Sequence, residues 1–183
     1  MGQIAGFEPG PITQAALKGA LRPTLGDDVN VINARSFAKE AGIAVTEEKF
    51  KDARNYKSLV CVHVEAERGA RTVSGTVFEG RESRIVEIDR MDIDLRPSRH
   101  MLCLEYLDVP GVVGKVGTIL GTNGINIARM EVSRIDGRGD ALVLLTLDDP
   151  VPAPVFDQIV AAVKPGAGGG DFEGIPIFDT VRE

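Results

Sequence analysis

The chain has 183 residues, enough for one or two domains with real cores, and its 43% hydrophobic and 26% charged residues are ordinary for a globular protein. A formal charge of −6, only 5% aromatic residues and no Trp argue against a nucleic-acid partner, which needs clustered Lys and Arg and stacking rings. No apolar run reaches a membrane span and the start, MGQIAGFEPGP, lacks the regions of a secretory signal, so a cytoplasmic setting without a membrane partner is expected.

Two helices are expected first. PITQAALKGALRPTL begins at Pro11, repeats apolar residues at 12, 16, 17, 20 and 21, and is expected to close at Pro23. DDVNVINARSFAKEAGI follows, with Asp27 or Asp28 as the expected cap and Gly42 as the stop. Strands come next. IAVTEE (43–48) is short and alternating, and SLVCVHVEAE puts Val60, Val62, Val64 and Ala66 on the face better suited to a core. A tight turn at 68–70 leads into RTVSGTVFEG, and SRIVEID and MDIDLRP form a second hairpin around Asp89–Arg90.

Pro97 and Ser98 mark a change of pattern. HMLCLEYLD reads as a strand, VPGVVGKVGTILGTNG as a helix, INIARMEVSR and DALVLLTLDD as strands joined by DGRGD, and VPAPVFDQIVAAVK as a helix with prolines in its first turn. A Gly-rich loop and a closing strand, IPIFDTVRE (175–183), complete a βαββαβ order. The expected class is α+β, with two domains: a helix-helix-antiparallel-sheet domain over 1–98 and a ferredoxin-like βαββαβ domain over 99–183.

Cys61 and Cys103 lie far apart in apolar runs and read as buried free thiols of a reducing compartment. His63 and His100 are isolated and no CxxC occurs, so no metal site is expected. The glycines at 111, 114, 117, 121 and 124 invite a phosphate-loop reading, which fails on spacing. Val116 stands where a Walker loop needs Ser or Thr, and no GxG is present for a dinucleotide turn. About one glycine per helical turn makes a smooth stripe for close packing on the sheet or on a second subunit, while Gly111 leaves exposed amides at a helix start. Around that start, Tyr106 and Asp108 end one strand and Asn126 begins the next. Two readings stand side by side. Either Asp108 holds an ammonium and Asn126 with the helix amides holds a carboxylate, meeting across a subunit contact, or Asp108 is a helix cap and Asn126 a turn residue.

YLDVPGVVGKVGTILGTNGINIARMEVSR resembles the ACT domain of D-3-phosphoglycerate dehydrogenase, through a D-x-P-G-x-x-G-K-[IV]-G-T-x-L-G-x-x-G-[IV]-N-I pattern. ALKGALRPTLGDDVNVINARSFAKEAGI, TVSGTVFEGRESRIVEID and DLRP resemble the intervening, allosteric substrate-binding domain of that enzyme's long forms. The resemblance covers nearly the whole chain up to Val163. It implies an ACT domain that binds L-serine for feedback inhibition at paired ACT domains, with Tyr106, Asp108 and Asn126 at the effector site, to which the exposed amides at Gly111 add a place for the carboxylate, and a homo-oligomer as the assembly. For the first domain it implies a phosphate-like anion held by Arg84 and Arg96. A third basic position falls on Met91, with Arg90 beside it.

A dehydrogenase of this family also needs a dinucleotide-binding unit and a catalytic His–Glu pair, and neither is identifiable. The resemblance therefore implies a non-catalytic regulatory fragment, without a cofactor of its own, attached to the NAD-dependent catalytic domains of a longer parent chain. Two other readings compete. Iron–sulfur L-serine dehydratases carry a similar first domain, but a cluster needs about three or four Cys ligands and this chain has two. A purely structural oligomerisation module is the third reading.

Overall fold

A computed structural model describes residues 1–66, 69–134 and 139–163. The chain divides into two compact units, 1–62 and 63–183. The closing strand expected at 175–183, the Gly-rich loop, and parts of the 68–70 and DGRGD turns lie outside the described residues.

The first unit holds two helices, α1 (Gly10–Leu25) and α2 (Ala34–Glu40). They meet over a small apolar cluster of Leu21, Val29, Ala34 and Ala38. α1 does not close at Pro23 but runs through it. Two residues from the end, a proline forfeits one backbone bond without breaking the helix. The stop comes at Gly26, whose N–H bonds the Arg22 carbonyl, while the Arg22 guanidinium reaches Asp27 at 2.7 Å. α2 is not capped by Asp27 or Asp28, which lie in a separate 3-10 turn, Gly26–Asp28. An asparagine pair sets its entry instead: Asn33 Oδ1 accepts from the Asn30 N–H, and Asn30 Oδ1 from the N–H groups of Ile32 and Asn33. Gly42, at φ 73, ends it as expected. The strand expected at 43–48 does not form. Val45 packs on the helix cluster and Glu47 pairs with Arg35 at 3.0 Å, so side-chain anchors take the place of a ladder. Gly2 instead bridges Ser58.

A four-stranded antiparallel sheet follows, in the order β1 (Val60–Ala66), β2 (Gly69–Phe78), β3 (Glu82–Ile88), β4 (Met91–Leu95). The expected core face of β1 is not buried: Val64 is 46% exposed, as befits an edge strand. Cys61 is half-buried rather than buried. The β3–β4 link is a two-residue turn with Asp89 at φ 48 and Arg90 at φ 71, the twist that a tight hairpin requires.

The remaining elements are β5 (His100–Leu107), α3 (Val112–Thr122), β6 (Ile127–Arg134), β7 (Asp140–Leu147) and α4 (Ala153–Ala162). β7 lies between β5 and β6 and is antiparallel to both, the split arrangement of a ferredoxin-like unit. Val112, Val116 and Leu120 of α3, and Val155, Ile159 and Val163 along α4, recur every four residues and bury one helical face against the sheet. Leu102, Leu104, Tyr106, Val143 and Leu145 meet them. The other sheet face is covered as well. Met101, Cys103, Leu142 and Leu144 form one cluster with Ile88, Met91, Ile93 and Leu95 of the hairpin sheet. Covering on both faces explains why β5 and β7 read as nearly unbroken apolar runs rather than alternating strands.

Candidate effector-binding site

Gly111 precedes α3 at φ 92, a left-handed conformation that glycine adopts without a Cβ penalty. Its carbonyl accepts from the Lys115 N–H at 3.0 Å, so the helix begins squarely there. Gly114, Gly117 and Gly121 do not pack on the sheet: a Cβ added at any of them meets nothing within 4 Å. Val112, Val116 and Leu120 supply the sheet contact, which turns most of the glycine face outward. Gly111, Gly114, Lys115, Thr118, Ile119 and Ala162 line a shallow depression of about 430 Å³ on that side.

Tyr106 is 2% exposed and belongs to the core between sheet and helices. Burial, and then the Asp108 carboxylate, push its phenol up, while Arg134 draws it down. Asp108 does not cap α3 with its side chain. Its Oδ2 accepts from Arg134 Nε at 3.0 Å, and its N–H bonds the Gly139 carbonyl. Asn126 is exposed, and its Nδ2 donates to Asp148 Oδ2 at 2.7 Å. Pairing register places these groups at opposite ends of the sheet. Leu107 faces Asp140 and Ile127 faces Leu147, which puts Asp108 level with Gly139 and Asn126 level with Asp148, so the two residues of one chain stand roughly 30 Å apart. Tyr106, Asp108 and Gly111 share one end, and Asn126 has the other.

The three arginines also divide. Arg84 on β3 and Arg96 just past β4 both grip Glu82, at 2.8 and 2.9 Å, and Arg84 lies 3.5 Å from Asp94. Hydrogen bonds from Arg84 and then Arg96 hold the Glu82 carboxyl below the usual range. Among the described residues, the buried Arg84 Nε has no hydrogen-bond partner. A depression of about 360 Å³ opens beside Arg84, lined by Phe78, Glu79, Glu82 and Asp94. Arg90 is exposed in the turn at the other end of the hairpin, roughly 17 Å away.

Residues 1–89 match the family model described as the D-3-phosphoglycerate dehydrogenase intervening domain, and residues 101–164 match the ACT domain. The chain is 38% identical over 156 residues to D-3-phosphoglycerate dehydrogenase of Synechocystis sp., covering 84% of this chain and 28% of that protein. It is 40% identical over 147 residues to the Bacillus subtilis protein of the same name, covering 80% and 28%. The Mycobacterium bovis protein of that name is 37% identical over 164 residues, covering 88% and 31%. The chain pairs an intervening domain of the D-3-phosphoglycerate dehydrogenase type with an ACT domain.

It spans less than a third of the length of these dehydrogenases. The dehydrogenase intervening-domain match ends at Asp89, the first residue of the β3–β4 turn, and the ACT match takes in β5 through α4. Sequence reasoning missed the partners that already occupy the polar groups: Arg134 for Asp108, Asp148 for Asn126, and Glu82 for both arginines. The first two pairs join residues 26 and 22 positions apart. Only the strand register brings them together, and no local pattern announces that.

Proposed function

We propose that the chain is the effector-sensing part of a D-3-phosphoglycerate dehydrogenase, an NAD-dependent oxidoreductase of serine biosynthesis, and that L-serine is the feedback inhibitor it reads. NAD and the chemistry belong to catalytic domains of the same parent chain, in a cytoplasmic enzyme. The observation that carries the reading is the separation of Asp108 and Asn126 to opposite ends of one α3 flank. A two-fold partner with its α3 antiparallel brings the Asp108 end of one copy to the Asn126 end of the other. The open glycine face permits that close approach.

Serine's ammonium then lies on Asp108 in exchange for Arg134, and its carboxylate on Asn126 and the amides at the Gly111 helix start in exchange for Asp148. Inhibition follows only if the two states of the parent enzyme hold serine with different affinity. A phosphate-like anion is the companion proposal for the first domain, taking the place of Glu82 between Arg84 and Arg96. Arg90 stands apart from that pair.

Calorimetry of the chain with L-serine, together with sedimentation, tests the effector reading. Heat is expected with the intact chain, and Asp108→Ala or Asn126→Ala each weaken binding by about tenfold or more. No heat, with no change in either variant, removes the serine reading. A dimer indifferent to amino acids favours a purely structural oligomerisation module.

A further inference from the structure

We infer that Arg71 couples the β2–β3–β4 sheet to the back of β5, the strand that ends at the candidate effector site. Arg71 Nη1 donates to Asp89 Oδ2 at 2.7 Å and to Glu105 Oε2 at 3.2 Å, so one guanidinium holds a carboxylate from each sheet. Asp89 is itself locked to β2. Its Oδ1 accepts from the Thr72 N–H at 2.7 Å, and its own N–H bonds the Thr72 carbonyl at 2.9 Å. The turn, β2 and Arg71 therefore form one piece, and Glu105 is a polar contact that joins this piece to β5 beside the apolar cluster of Met101 and Cys103 with Ile88, Met91, Ile93 and Leu95.

β5 has two working faces. Glu105, with its side chain 10% exposed, shares the back face with Met101 and Cys103. Tyr106, the next residue, points the opposite way into the helix-side core, close enough for Asp108 to raise its phenol. A ligand taken up at Asp108 that shifts β5 must shift Glu105 against Arg71, and Arg71 against the hairpin turn. Among the described residues, three charged groups bear on Glu105: Arg71 from β2, Asp140 from β7 and Asp89 from the β3–β4 turn. The neighbouring Cys103 thiol is pushed up to about 12, chiefly by burial, and adds no competing charge at neutral pH. Apolar Ile88, Met91, Leu142 and Leu144 pack the layer that holds Met101 and Cys103, while Arg71, with its side chain 42% exposed, reaches Glu105 from the solvent side.

Only the ligand side of this coupling rests on the serine reading. The test uses the 183-residue chain with Arg71→Met, Glu105→Gln, the double variant and the conservative Arg71→Lys. Hydrogen exchange is followed over β2–β4 and β5 with and without L-serine, and calorimetry is run on the same samples. Without ligand, each single variant is expected to speed exchange of the hairpin sheet about fivefold or more, with the double variant no faster than the faster single. Arg71→Lys restores slow exchange. With serine, exchange over β2–β4 slows in the unaltered chain and in Arg71→Lys, but not in Arg71→Met, which still binds serine.

Additive single effects overturn the coupling, and so does a serine response that survives in Arg71→Met. If the unaltered chain binds no serine, the effector reading falls, and the ligand-free cycle alone decides whether Arg71 ties the sheet to β5. Should Arg71→Met fail to fold, Arg71→Gln takes its place beside Glu105→Gln in the same cycle.

Discussion

Glu105 and Glu82 are both bound by arginine, yet their carboxyls move in opposite directions. Burial pushes Glu105 up; Arg71 draws it down, and Asp140 and Asp89 add to the rise. Arg71 is raised despite its own desolvation, because two carboxylates serve it. The pair interaction itself is reciprocal, and Glu105 rises because burial and the like charges of Asp140 and Asp89 outweigh what Arg71 supplies. Exposed Glu82, held by Arg84 and Arg96, is lowered. A raised carboxyl binds more protons folded than unfolded. Its favourable contribution is present below the ordinary glutamate value and is lost as pH rises through the folded value. For Glu82 the sign reverses: the contribution is present above the ordinary value and is lost as pH falls through the lowered one. Urea unfolding from about pH 4 to about pH 7 is expected to show the cost of Glu105→Gln shrinking as pH rises and the cost of Glu82→Gln growing. Parallel curves for the two variants would contradict this account.

At the scale of elements, the spacing along α3 described its glycine face incompletely. The spacing foretold a smooth surface, but not which surface. The branched residues Val112 and Val116, with Leu120, fill the sheet side, and the glycines are left with open space. Replacing Gly114 or Gly121 by Ala should stabilise an isolated chain by roughly 0.5–1 kcal/mol, because alanine is the better helix former and nothing blocks its methyl group. If the same face packs a second copy, the added methyl groups weaken assembly. Thermal unfolding and sedimentation equilibrium on one set of variants separate the effects. A chain stabilised with its assembly unchanged moves the interface off this face. Gly111→Ala is expected to cost about 1 kcal/mol in any setting, since its φ of 92 is strained for an L residue.

For the molecule as a whole, the change of pattern at Pro97–Ser98 does not coincide with a break in packing. Met101, Cys103, Leu142 and Leu144 lie beyond it, while Ile88, Met91, Ile93 and Leu95 lie before it, in one cluster. The compact units divide at Val62 and His63 instead. A fragment starting at 99 would uncover the back of the second sheet, at roughly 1.5–3 kcal/mol for each large apolar side chain exposed. It is expected to bind an apolar dye and unfold at lower urea than a fragment of residues 63–183. Equal midpoints and no dye binding would show that the second sheet face tolerates water.

The α+β class, the βαββ order with its following helix, the hairpin turn at Asp89–Arg90 and the two domain types were legible in the residues. Each is written in local periodicity, turn chemistry or an uninterrupted motif. The false strand at 43–48, the unburied faces of β1 and the helix that runs through Pro23 show where that legibility ends. Alternation does not say whether a partner strand exists, nor which face it will cover. The partners of the polar groups were wholly a matter of tertiary structure. Arg71 reaches Glu105 across 34 positions, and Asp108 and Asn126 are parted to opposite ends of a sheet by its register. The sequence by itself determined which chemical groups the protein possesses. Folding decided which of them meet, because long-range pairing depends on how strands align and pack rather than on the local pattern of the chain.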